Sequence, residues 1–292
     1  MRPSHVFLAC LASIIWGLAF VFTKFGLDSF SAPQLTALRF LIVCPLVFFL
    51  PRPAISWSIL VEIGLTLFAG QFLLLFFAFK QGMPPGLASI TQQTQAFFTV
   101  LLAAGFLGDR ATPKQWAGMA VAFAGLGLIA LSLGGDVGAL GLGLALASAF
   151  SWAIGNVLVK RLGKVPMLPL MAWLSLVPPL PALLVSAILD PAPSLIGAIA
   201  DASWLSLAAV IYLGAVATIL AYAIWGGLLT RYPSAMVVPF ALLAPCAGML
   251  SSAIVFGEVF GTLRYGGMAL ILLGLAIIVL PIGWLRASRP GK

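Results

Sequence analysis

Residues 106–129 read FLGDRATPKQWAGMAVAFAGLGLI, and residues 256–278 read FGEVFGTLRYGGMALILLGLAII. An offset of 149 lays Gly108-Asp109 on Gly257-Glu258, Gly118-Met119-Ala120 on Gly267-Met268-Ala269 and Gly125-Leu126 on Gly274-Leu275. The same offset pairs Pro84 with Pro233. Further upstream, an offset of 136 lays Ala9 on Ala145, Trp16 on Trp152, Lys24 on Lys160, Pro33 on Pro169 and Pro45 on Pro181. Apolar sequences share letters by chance, but chance does not also match tryptophan, lysine, proline and acidic positions at two constant offsets. The chain is one unit written twice, with a longer loop in the second copy.

Of the 292 residues, 62% are hydrophobic and 8% are charged, whereas a soluble domain averages about 25% charged residues. So few charges cannot clothe a water-facing surface, and the chain is read as an all-α polytopic membrane protein. Hydropathy punctuated by turn sequences such as DSFSAP, PRPAIS, KQGMPPG and GEVFGT predicts ten transmembrane helices. They lie near 6–26, 33–50, 58–79, 86–108, 114–133, 138–160, 168–189, 203–229, 234–256 and 263–284. No strand alternation interrupts them, and no extramembrane domain is expected. The apolar run before Cys10 is too short for a signal peptide, so the first segment is read as a retained helix.

Each copy, residues 1–135 and residues 136–292, then holds five helices. An odd number makes the second copy enter the membrane from the opposite side, giving an inverted-topology repeat. Such repeats are characteristic of secondary transporters, which hold the substrate near the midplane between the two units. The basic residues set the orientation. With the N-terminus cytoplasmic, 11 Lys and Arg lie at the inner side and 4, Lys24, Arg39, Lys80 and Arg264, at the outer side. Both termini are expected in the cytoplasm.

Two further stretches complete the pattern, IIWGLAFVFTKFGL at 14–27 and SWAIGNVLVKRL at 151–162. Together with the opening pair they resemble the tandem EamA repeats of the drug/metabolite transporter superfamily, over nearly the whole chain. Within that superfamily the chain is most similar to YddG-type exporters of aromatic amino acids. The resemblance implies a ten-helix carrier of the bacterial inner membrane, monomeric, with a central cavity lined by both repeats.

The candidate site begins at TQQTQ, residues 91–95, in the middle of an apolar span. An amide in hydrocarbon needs partners or costs about 2–7 kcal/mol. At 100° per residue, Ala88, Thr91, Gln92, Gln95 and Thr99 share one arc. Thr91, Gln92 and Gln95 are expected to face substrate, and Gln93 and Thr94 to bond neighbouring helices or backbone; inter-helix bonding is the plainer alternative for all of them. In the matching helix of the second copy, Pro239 and Pro245 free backbone carbonyls, which would accept from a substrate ammonium group. Trp16 and Phe20 share a face with Lys24, and Trp152 and Asn156 share one with Lys160. The lysines read as snorkelling helix-end charges. Gln71, Phe72 and Phe79 on the third helix, and Tyr222 and Trp225 on the eighth, complete the expected substrate-binding set. Simple aromatic packing is the alternative for the rings.

The absences narrow the chemistry. No Asp or Glu falls near the centre of a predicted span, since Glu62, Asp109 and Glu258 stand close to helix ends. That argues against a carboxylate proton relay and against export of cationic drugs. No Walker motif, nucleophile elbow or metal-ligand cluster appears, so no cofactor, metal or enzymatic activity is expected. Cys10, Cys44 and Cys246 read as small buried hydrophobes, and His5 as a surface residue. The net charge of +8 comes from scattered residues without a basic run, which excludes a nucleic-acid partner. The expected function is export of amino acids, aromatic or apolar, across the lipid bilayer by alternating access. A same-fold carrier of a nucleotide sugar, nucleoside or lipophilic cation is the alternative, and a channel or intramembrane enzyme a more distant one.

Overall fold

Proline opens helix α1, Pro3–Gly26, at a position where the missing N–H has no helical partner to lose. Helix α2, Ala32–Leu41, is launched by a capping box. Ser31 Oγ accepts from the Gln34 N–H at 3.2 Å, and Gln34 Oε1 accepts from the Ser31 N–H at 3.1 Å. A 3-10 turn, Cys44–Phe48, prolongs it. Helix α3, Trp57–Lys80, starts from a Ser56 cap and contains a π-helical stretch, Gly64–Gly70. The computed structural model describes residues 1–107, 112–131, 138–163, 165–190, 194–232, 237, 240–241 and 243–279.

Pro84 and Pro85 begin α4, Pro85–Thr91, which passes through a 3-10 turn, Gln92–Thr94, into α5, Gln95–Leu107. Then come α6, Pro113–Leu131, and α7, Ala139–Arg161. Helices α8, Met167–Leu174, and α9, Pro179–Leu189, are parted where Pro178 and Pro179 withhold backbone donors. A short α10, Leu195–Asp201, lies in the connection between the predicted spans 168–189 and 203–229. Helix α11 runs from Trp204–Ile211 through a second π-helical stretch, Tyr212–Leu220, into Ala221–Arg231. Helices α12, Leu243–Phe256, and α13, Thr262–Val279, complete the chain. No strand occurs among the described residues.

Five helical segments are long and apolar enough to cross a membrane: Pro3–Gly26, Trp57–Lys80, Ala139–Arg161, Met167–Leu189 and Trp204–Leu228. Large apolar side chains, Phe48, Phe49, Ile196, Trp204 and Val259 among them, stand exposed on the outside, as a hydrocarbon solvent allows. Cys246 is exposed on that surface too, so it is not the buried hydrophobe expected.

The helices associate through small residues, as expected where lipid supplies no hydrophobic drive between them. Helix α6 lies along α13, and a Cβ added at Gly125 would stand 2.5 Å from the Gly267 carbonyl oxygen. Helix α1 crosses α12 at Gly17, where an added Cβ would stand 2.5 Å from the Ala244 carbonyl oxygen. Helix α1 also runs beside α11, while α7 runs beside α3 and α5. Each π-helical stretch carries a contact glycine. Gly64 meets Val177 ahead of α9, and Gly214 meets the Arg39 carbonyl of α2.

Two apolar clusters bracket the interior. One gathers Leu27, Phe30, Leu35, Phe76, Phe79, Met83, Leu87 and Phe260; the other gathers Phe40, Leu60, Ile63, Phe68, Leu170 and Leu174. A cavity lies between helices from both halves of the chain.

Candidate functional site

The cavity has a volume of about 450 Å³, within the range of small-molecule sites, about 300–1,000 Å³. Its aromatic wall comes mainly from α1 and α11. Trp16 packs edge-on against Tyr222 and Trp225, with ring centroids 5.4 and 5.1 Å away. Trp16 Nε1 donates to the Ala217 carbonyl at 3.0 Å, fixing the ring against the π-helical stretch of α11. Phe20, Phe72 and Trp152 add further apolar faces. The sequence-expected residues Trp16, Phe20, Gln71, Phe72, Gln92, Gln95, Trp152, Asn156, Tyr222 and Trp225 all line this one space.

The amides divide differently from the helical-wheel expectation. Gln92 borders the cavity but is only 1% exposed. Its Nε2 donates to the Ala145 carbonyl at 3.2 Å and to Ser148 Oγ at 3.1 Å, clasping α7. Ser148 Oγ in turn donates to the Gln71 carbonyl at 2.7 Å, so one buried chain joins the α4–α5 turn, α7 and α3. Gln95 Oε1 accepts from Asn156 Nδ2 at 2.7 Å. Gln93, expected to hold the bundle together, lines the cavity instead. The side-chain amides of Gln71 and Gln93 make no hydrogen bond among the described residues, and both residues line the cavity.

Two expectations do not hold as made. Thr91 is 0% exposed and its hydroxyl donates to the Leu87 carbonyl at 2.9 Å, so it is spent on its own helix. Phe79 is 8% exposed within the apolar cluster of Phe30 and Met83, away from the cavity lining. Its ring is taken up by neighbours before it reaches substrate space. Pro239 lies outside the described residues.

Sequence reading missed Arg39, which it counted among the flanking charges. Arg39 is 5% exposed and lines the cavity, the single charged residue that does so among the described residues. Its Nη2 donates to Thr218 Oγ1 at 3.4 Å, and its guanidinium carbon stands 3.9 Å from the centroid of the Phe72 ring. The available signal was an arginine well inside an apolar span, in QLTALRFLIV.

The lysines stay apart from this space. Lys24 Nζ stands 5.0 Å from the Phe256 ring, and Lys80 Nζ donates to the Leu27 carbonyl at 2.8 Å. His5 is half-buried, its ring paired with the Tyr232 hydroxyl at 2.7 Å. Among the described residues no three His, Cys, Asp or Glu side chains gather as metal ligands.

Known proteins are similar to this chain in sequence and in fold. A protein of Escherichia coli K12 named "Probable amino-acid metabolite efflux pump" is 40% identical over 98% of both chains. A Salmonella typhimurium protein of the same name is 41% identical over 99% of both. A "Probable terminal-alkyne amino-acid exporter" of Streptantibioticus cattleyicolor is 27% identical over 98% of both. A solved crystal structure matches the fold with a TM-score of 0.68 at 21% identity, over 99% of this chain and all of that one. The model of the EamA-like transporter family matches residues 3–131 and again residues 139–280. The chain belongs to the EamA-like transporter family.

Proposed function

We propose that the chain is a secondary carrier that exports amino acids with aromatic or apolar side chains from the cytoplasm by alternating access. The observation that carries this reading is the cavity itself. Helices from both halves enclose it, aromatic faces wall it, and unpartnered amides of Gln71 and Gln93 stand ready to bond a polar cargo. Flat rings suit a flat or apolar side chain, each aromatic pair adding about 0.5–1.5 kcal/mol beyond area burial. The names of the three relatives, two amino-acid efflux pumps and an amino-acid exporter, support the same cargo class.

The carrier is built as ten membrane crossings in two inverted five-helix repeats, residues 1–135 and 136–292, in the bacterial inner membrane with both termini cytoplasmic. Support comes from the two π-helical stretches, Gly64–Gly70 and Tyr212–Leu220, which occupy equivalent places at the offset of the repeat. Packing supports it as well, since α1 against α11 and α12 is matched by α7 against α3 and α5. The cavity reaches Val159 and Met167, on either side of Lys160 and Arg161, whereas Leu27, Phe30 and Met83 seal the other end. The basic end is cytoplasmic by the positive-inside rule, so this conformation faces inward.

Counterflow in proteoliposomes with a panel of amino acids, with and without a pH gradient, tests the reading. Accelerated exchange of phenylalanine, leucine or methionine is expected. Exchange of nucleosides or lipophilic cations alone would overturn it. A C-terminal alkaline phosphatase fusion that is active in cells would refute the orientation.

A further inference from the structure

We propose that Arg39 is the carboxylate-recognition residue of the cavity, an inference that rests on the carrier reading above. Arg39 sits on α2 inside the membrane, 5% exposed. A guanidinium carries five N–H donors and no acceptor. The protein occupies them thinly. Nη2 reaches Thr218 Oγ1 at 3.4 Å, Nε is buried without a partner, and no carboxylate stands within ion-pair distance among the described residues. Thr218 Oγ1 gives its own proton to the Leu213 carbonyl at 2.8 Å, so its lone pair is held toward the guanidinium. The flat face is held as well, 3.9 Å above the Phe72 ring and 5.7 Å from that of Phe40. The group is therefore oriented but not neutralised.

An intramembrane cation without a counter-ion is costly to keep and marks a functional site by default. The missing anion is supplied by cargo. Its charge follows from the lining: Arg39 is the single cation there, with no acid beside it among the described residues. A carboxylate pairs with it one to one. Guanidinium and carboxylate also match as planar, two-pronged partners. Placed on Arg39, the carboxylate lies beside Phe72, in a cavity whose other rings, Trp16, Tyr222 and Trp225, are there for the attached side chain. The amide oxygens of Gln71 and Gln93, in the same cavity, are the acceptors for the amino group.

The test uses the intrinsic fluorescence of Trp16, Trp152 and Trp225, all of which line the cavity. The full chain in detergent is titrated with L-phenylalanine, L-leucine and L-methionine, and with the primary amide of each. Wild-type protein is expected to favour each bound acid over its amide by about 30-fold or more. Arg39→Gln is expected to bring that ratio to about 3-fold or less, and Arg39→Lys to keep part of it. Equal wild-type affinity for acid and amide overturns the role of Arg39 while leaving amino acids as cargo. A ratio retained in Arg39→Gln overturns it too. Failure of wild type to bind any acid or amide overturns both this role and the cargo class. The wild-type ratio decides the matter even where Arg39→Gln does not fold.

Discussion

Replacing Gln92 by leucine separates the two roles an amide can play in a membrane helix. In the structure Gln92 Nε2 makes two inter-helix bonds, to the Ala145 carbonyl at 3.2 Å and to Ser148 Oγ at 3.1 Å. Inter-helix bonds in membrane proteins average about 0.6 kcal/mol and reach about 1.7. Leucine restores most of the volume but neither bond, so the loss is about 1–3 kcal/mol. Nothing is taken from the cargo, because the donor was already engaged. A fall in the detergent melting temperature is therefore expected, with affinity for L-phenylalanine, read by tryptophan fluorescence, unchanged within about 3-fold. Ser148→Ala breaks the same buried chain, and its effect should combine with Gln92→Leu less than additively. A Gln92→Leu protein that melts as wild type does but no longer binds would refute this reasoning and return Gln92 to the substrate face.

Gly214→Ala places a Cβ 2.8 Å from the Arg39 carbonyl oxygen and 2.9 Å from Ile42 Cβ, so α2 must move. We expect about 1–3 kcal/mol of destabilisation and weaker cargo binding, while Gly105→Ala, which meets nothing within 4 Å, leaves both intact in parallel melting and binding curves. Burial pushes the Glu258 carboxyl above its ordinary value of 4.5, outweighing the hydrogen bond from the Gly86 N–H and the charge of Lys24. Between 4.5 and its raised folded value, the folded protein holds a proton that the unfolded chain has released, so stability falls as pH rises through that window. Melting curves against pH should show that fall in wild type and a flatter profile in Glu258→Gln; identical profiles would dismiss the effect. Asp190 accepts hydrogen bonds from Ser31 and Ser186, tying the start of α2 to the end of α9. Asp190→Ala should cost about 1–3 kcal/mol and speed amide hydrogen exchange over residues 27–35.

Much of the molecule could be read before it was folded. Composition and hydropathy located the helical segments, and Ser31, Ser56, Ser194 and Ser203 stand where side-chain caps begin helices. The aromatic candidates Trp16, Phe72, Trp152, Tyr222 and Trp225 do converge on one cavity. The amide stripe was legible as a feature but not in its detail. A helical wheel turns 100° per residue, whereas the 3-10 turn at Gln92–Thr94 turns about 120°. That difference alters the facing from Gln92 onward, and Gln93 lines the cavity, while Thr91, ahead of the turn, bonds back to Leu87 as a helical threonine does.

By itself the sequence determined the solvent, the helical segments and the family, because these depend on composition, local periodicity and a repeat visible along the chain. Tertiary structure alone decided which polar groups are spent and which are left for cargo. Gln92 is answered by Ala145 and Ser148, Gln95 by Asn156, and Arg39 by no hydrogen bond shorter than that to Thr218 at 3.4 Å. Those partners are 53 to 179 residues away in sequence, and hydrogen bonding, a contact of about 3 Å, depends on where the folded helices bring them.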